Sequence, residues 1–193
     1  ANMLTNIIYK AVSVMPPEIL SKTLKNIPHS LLDWKRDASF RYIVRYAYKN
    51  SPFYRKRFDD FKIKPDKVKR PSDLGGFYTT PIDVIEHAEE FVCRRPHIVF
   101  ESSGTTGRNK RVYLSKDELD NIGRFNATGL FLGGVTREDR LVNGFDFCIW
   151  IPGMITQKGL EQGRFFSMAA GKVDPVEVYK RIPIYNFNVV LGE

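Results

Sequence analysis

Cysteine and histidine are scarce in this chain of 193 residues: two cysteines, Cys93 and Cys148, and three scattered histidines, His29, His87 and His97. No Cys-x-x-Cys pair and no zinc-type spacing occurs, which excludes a disulfide framework and a structural metal ribbon and fits a reducing cytoplasm. A transmembrane helix needs about 20 consecutive apolar residues, and no such run is present. Fixed-period repeats, low-complexity tracts and collagen-like composition are also missing. What is left is an ordinary globular composition, 42% hydrophobic and 27% charged, enough for one domain or a domain with an appendage.

Charge is unevenly spread. The net charge is +8, yet residues 35–70 hold 13 Lys/Arg against 4 Asp/Glu, so that stretch alone carries +9 and the remainder is near neutral. Because these cations fall on helical patterns with apolar faces opposite, a solvated helix face explains them better than a nucleic-acid interface. Ala1 and Asn2, ahead of Met3, read as a tag remnant. Leu4, Ile7, Ile8, Ala11, Val12 and Met15 recur at helical spacing before Pro16 and Pro17 stop the pattern. The spacing predicts a short amphipathic helix that packs on the domain or on a second copy, as in a homodimer, rather than a signal or a membrane span, with attachment to a membrane surface as the alternative.

The coarse reading continues with a helix over 37–50 and another opened by Ser51 and Pro52, burying Tyr54, Phe58 and Phe61. Thr80 and Pro81 start a short helix. Two apolar runs, 97–101 and 111–115, read as strands. Ser115 and Glu118 form a capping box for a helix to about Leu132. A strand follows from Asp139, then an aromatic segment, a helix over 154–170 and a last strand over 188–191. Residues 1–90 are thus expected to be a basic helical region and 91–193 the first part of an α/β domain with a layered mixed sheet. A core strand so near the end suggests that the chain is the N-terminal part of something longer.

Between the two apolar runs stands the densest chemical signal: Ser102, Ser103, Gly104, Thr105, Thr106, Gly107, Arg108, Asn109 and Lys110. Glycines let backbone N–H groups turn toward a ligand, hydroxyls add donors, and lysine adds a compact charge, which together make a phosphate cradle. The spacing is neither a Walker A loop nor a dinucleotide fingerprint. A Ser/Thr/Gly hairpin that binds nothing is the plain alternative.

The order Ser-Ser-Gly-Thr-Thr-Gly-x-x-Lys resembles the phosphate loop of the adenylate-forming, acyl-CoA synthetase-like superfamily. Further segments are similar to its phenylacetate–coenzyme A ligase-like branch: 46–58, with Asn50, Ser51, Pro52, Phe53 and Tyr54; 72–81, ending in Thr79, Thr80 and Pro81; and 144–163. This resemblance implies that Ser102, Ser103, Gly104, Thr105, Thr106, Gly107 and Lys110 contact ATP phosphates, and that Phe145, Phe147 and Trp150 line a slot for an aryl or other apolar carboxylic acid. It implies ATP, Mg²⁺ and coenzyme A as reactants or cofactors, and no nucleic acid. Arg108 and Arg111 could help hold pyrophosphate, and Asp146 is a further polar contact without an assigned role. Asn109 departs from the pattern, where proline is usual, which should loosen the loop slightly. The family's adenine, ribose and magnesium motifs and its catalytic lysine are not in this chain, so no catalytic or metal-binding residue is assigned and the chain should not catalyse alone. An acyl-protein synthetase of the same superfamily, or a non-catalytic shortened paralogue that binds a nucleotide or a partner, are the alternatives.

Overall fold

The computed structural model describes residues 14–102 and 108–192. The expected helix over residues 4–15 therefore lies almost wholly outside the described residues. Packing divides the chain into two compact units, one of residues 27–116 and one of residues 1–26 with 117–193.

In the first unit, α2 (His29–Asn50) and α3 (Pro52–Asp60) are joined at Ser51, following α1 (Pro17–Leu24) of the other unit. Ser51 is fully buried and caps α3 by accepting from Tyr54 N. Its own hydroxyl donates to Glu90 O at 2.7 Å, so one side chain fixes both the helix start and a distant turn. The core packs Val44 of α2, Phe58 of α3 and Val68, with Phe40, Tyr48, Ile63 and Phe77 around them. Phe53, at the start of α3, is buried against Phe91, whereas Phe61 is exposed. The sequence pattern places Phe61 inside; the helix stops at Asp60, and Phe61 adopts a non-helical conformation as its C-cap. The helix over 37–50 also begins eight residues earlier than expected, because Pro28 marks its start.

Short 3₁₀ turns at Pro65–Lys67 and Pro71–Leu74 lead to α4 (Pro81–Glu86). Thr80 and Asp83 cap one another reciprocally. The two strands β1 (Ile98–Glu101) and β2 (Arg111–Leu114) then pair antiparallel.

The second unit carries α5 (Lys116–Leu132), β3 (Arg140–Asn143), α6 (Ile151–Gly163), β4 (Phe166–Ala169), α7 (Pro175–Tyr185) and β5 (Val189–Leu191). Strand order is β4-β3-β5, both pairs parallel. The α/β layering expected from the sequence is present, with one antiparallel pair and one parallel sheet. Along α5 the buried residues Leu119, Gly123, Ala127 and Phe131 recur every four positions and form one stripe. Gly123 permits the close approach of α6, since a Cβ there would lie 2.8 Å from Lys158 Cβ. Phe131, Leu141, Leu160 and Phe165 make the core.

The helix predicted over 154–170 is instead α6 followed by β4. Arg164 takes a left-handed conformation (φ 56°) and ends the helix. Phe165 then turns in against Phe131, and extended pairing with β3 begins. Apolar residues continue through Met168, which is why the sequence pattern runs past the break. The helix α7 is not anticipated by the sequence reading, although Asp174 caps it and Pro175 occupies its first turn.

Asp139 ties the start of β3 to β5. Its carboxylate accepts from Thr136 N at 2.6 Å and from Asn188 Nδ2 at 2.6 Å. The Thr136 amide first, then the Asn188 and Thr136 side chains, hold its pKa below the ordinary aspartate value. A depressed carboxylate contributes stability above its unfolded pKa and loses it as pH falls through the folded one. Thermal unfolding should therefore move to lower temperature on acidification below about pH 4, and Asp139→Asn should flatten that acid limb. In the core, Leu160→Ala should cost about 2–5 kcal/mol in urea denaturation, through lost burial and the cavity left behind.

Candidate functional site

The β1–β2 pair builds the neck of the glycine-rich loop. Valine, isoleucine, phenylalanine and tyrosine favour the pleated backbone, and their register places Glu101 opposite Arg111 and Ile98 opposite Leu114. Beyond the ladder, Ser102 N donates to Lys110 O at 3.0 Å, and Lys110 N donates to Ser102 Oγ at 3.1 Å. The first and last members of the motif are thus brought face to face. Between them, Ser103, Gly104, Thr105, Thr106 and Gly107 lie outside the described residues. Asn109 Nδ2 donates to Glu101 Oε2 at 2.9 Å, a cross-strand tie at the position where proline is the usual residue.

Three cations converge on this neck, and they are not equivalent. Arg108 Nη1 lies 3.4 Å from Glu86 Oε1, at the end of α4. Arg111 Nη1 lies 3.2 Å from Glu89 Oε1 and also donates to Tyr113 Oη. Both glutamates sit beside α4, which the Thr80–Asp83 capping box anchors; the Thr80 amide and hydroxyl hold the Asp83 carboxyl below its usual range. Lys110 is exposed, and its ammonium has no ion-pair partner among the described residues. The two arginines suggested for pyrophosphate are therefore already engaged with carboxylates, and Lys110 is the one of the three without such a partner among the described residues.

The aromatic segment belongs to the second unit and follows β3. Its organiser is Asn143, a fully buried amide at the last position of that strand. Asn143 Nδ2 donates to Gly153 O at 3.1 Å and to Gln157 Oε1 at 3.4 Å, both on α6. Asn143 Oδ1 accepts from Phe145 N, and its backbone carbonyl accepts from Ala170 N and Gly171 N after β4. On the other side Gly144 N donates to Leu191 O of β5 at 2.7 Å. Every polar atom of this buried side chain is used, as burial demands.

From that anchor the chain runs through Phe145, half-buried, to Phe147 and Trp150, both exposed. A Cβ on Gly171 would reach the Phe147 ring at 3.4 Å, so Phe147 lies over the turn after β4. Asp146 Oδ1 accepts from Cys148 N and shapes a local turn. The segment sits beyond the carboxyl ends of parallel strands where the order reverses, since β3 leads to β4 on one side and β4 leads back to β5 on the other. Open α/β sheets place ligands at such switch points. Asn143 and Gly153 were missed in the sequence; the available signal was a lone amide closing an apolar strand and a glycine just after Pro152. A Cβ on Gly153 would overlap Asp146 O. Gly153→Ala should therefore cost about 1–3 kcal/mol through backbone displacement, read by denaturant titration.

No family model matches the chain. Over 131 residues it is 28% identical to the phenylacetate–coenzyme A ligase of Escherichia coli (strain K12), which covers 63% of this chain and 29% of that protein. The phenylacetate–coenzyme A ligase of Thermus thermophilus is 26% identical over 143 residues, covering 72% of this chain and 32% of its own length. The chain thus spans about a third of the curated relatives it matches. Among solved structures, 2-hydroxyisobutyryl-CoA ligase in an open conformation with 2-HIB-AMP and CoA superposes with a TM-score of 0.76 at 16% identity, over 85% of this chain and 41% of that one. The same ligase in its thioesterification state gives 0.71 at 19% identity, over 82% and 35%. Over the superposed part, the fold is that of 2-hydroxyisobutyryl-CoA ligase. Over the matched part of its length, the chain is related to the phenylacetate–coenzyme A ligase-like branch.

Proposed function

We propose that this chain supplies the N-terminal, phosphate-holding portion of an ATP-dependent carboxylate–coenzyme A ligase. The observation that carries this reading is the hairpin neck, which closes Ser102 onto Lys110 and pairs Arg108 and Arg111 elsewhere, leaving Lys110 as the available cation. In the proposed reaction an oxygen of the acid forms a bond to the α-phosphorus of ATP. The α–β bridging P–O bond breaks, and pyrophosphate leaves. Ser102, Ser103, Gly104, Thr105, Thr106, Gly107 and Lys110 would orient and neutralise that leaving group through amides, hydroxyls and one ammonium. The acyl-adenylate is then consumed by the thiol of coenzyme A, with release of AMP.

Phe145, Phe147 and Trp150 are the proposed contacts to an aryl or other apolar acid; their support is the position at the switch point and the accessibility of Phe147 and Trp150. Mg²⁺ would share the phosphate charge. Among the described residues no three His, Cys, Asp or Glu side chains converge to hold a metal. Among those residues no helix is long and apolar enough to cross a membrane. The scarcity of cysteine, two in the chain and no Cys-x-x-Cys pair, supports a cytoplasmic setting.

The test is acid-dependent exchange of pyrophosphate into ATP by the whole ligase, across aryl and fatty acids. Lys110→Ala should lower exchange about 100-fold or more, as loss of a charge-stabilising donor does, with Arg108→Ala far milder. Absence of exchange with every acid would sink the ligase reading, whereas exchange indifferent to Lys110→Ala would sink the loop assignment alone.

A further inference from the structure

Helix α2 buries Phe40, Val44 and Tyr48 on one side. Its opposite side is a second stripe, Leu31, Lys35, Ala38, Tyr42, Arg45 and Lys49, spaced alternately four and three residues apart, as one helical face requires. Trp34 flanks it. These are not shielded apolar groups: Leu31 is 44% exposed, Trp34 41% and Tyr42 56%.

Acidic side chains are absent from this stripe. The only acids of α2, Asp33 and Asp37, are both held by Arg36, at 2.8 Å and 3.2 Å. Lys35, Arg41, Arg45 and Lys49 have no ion-pair partner among the described residues. Near the C-terminal end, Tyr42 stacks on Tyr46, and the Arg94 guanidinium lies 5.2 Å from the Tyr46 ring centre, which extends the aromatic and cationic surface.

We propose that this face of α2 docks on an anionic lipid surface. The stripe runs about 27 Å along one helix, which suits a plane better than a pocket. Tryptophan, tyrosine and leucine alternating with lysine and arginine is the composition that settles at headgroup depth. The uncompensated cations supply attraction to acidic headgroups, and the aromatic side chains supply shallow insertion. Nothing in this docking uses the loop at 102–110, so it stands or falls apart from the ligase reading.

The experiment is co-sedimentation of the chain with phosphatidylcholine vesicles containing about a third phosphatidylglycerol, against phosphatidylcholine alone. Binding to the anionic vesicles only, weakened by salt, is expected. Lys35→Glu with Arg45→Glu and Lys49→Glu should reduce it by more than about a hundredfold, given the usual contribution of each cation near such a surface, while circular dichroism stays unchanged. With Trp150→Phe as background, Trp34 emission should shift to the blue on the anionic vesicles. Equal binding to neutral vesicles, no binding to either, or full retention in the charge-reversed variant overturns the proposal. So does a concentration-dependent dimer that the charge reversal abolishes without any vesicle binding, which would assign the face to a second copy.

Discussion

The amide of Asn143 is the interaction on which the second unit depends. A fully buried polar side chain is costly unless each of its atoms finds a partner, and here every partner lies at the same end of the sheet. Its NH₂ holds the first turn of α6, its carbonyl oxygen turns the chain at Phe145, and its backbone carbonyl receives the turn after β4. The ends of β3 and β4 and the start of α6 are therefore set by one residue, and Gly144 adds β5. The aromatic segment is displayed from that knot, so its position is fixed by hydrogen bonds rather than by packing of the aromatic rings themselves.

The first unit solves a different problem, the management of excess positive charge. Arg36 absorbs the acids of α2, Arg57 lies between the Phe53 and Phe61 rings and Asp83, and Arg108 and Arg111 meet Glu86 and Glu89. Exposed pairs of this kind add little stability. Their effect is on which cations remain available. At the loop neck that selection leaves Lys110, and on the second face of α2 it leaves Lys35, Arg45 and Lys49 without an acidic partner among the described residues.

Much of this was legible in the sequence where a local rule governs it. Ser51 with Pro52 and Thr80 with Pro81 announce helix starts because capping and a fixed proline φ are properties of neighbouring residues. The apolar runs flanking the loop are the paired strands, and their register brings Ser102 to Lys110. What escaped was non-local or masked by continuity. A left-handed Arg164 divides α6 from β4 without any glycine or proline after it to mark the break. Pro183 inside α7 disguised a helix whose start signals were present. The ion-pair selection among three neighbouring cations depends on glutamates some twenty residues away in sequence, as in Arg108 with Glu86, and no spacing rule reveals it.

The central place of β3 in the order β4-β3-β5 has a consequence for synthesis. Parallel neighbours require a crossover, and among the described residues both strands that flank β3 emerge from the ribosome after it. Leu141 and Val142, wholly buried in the finished sheet, are made first and wait uncovered while α6 and β4, then α7 and β5, are added. During that interval the nascent strand offers two bare edges to whatever is near. Val189 and Val190 close the second of those edges, so the pairing of β3 is complete only once β5 has been made.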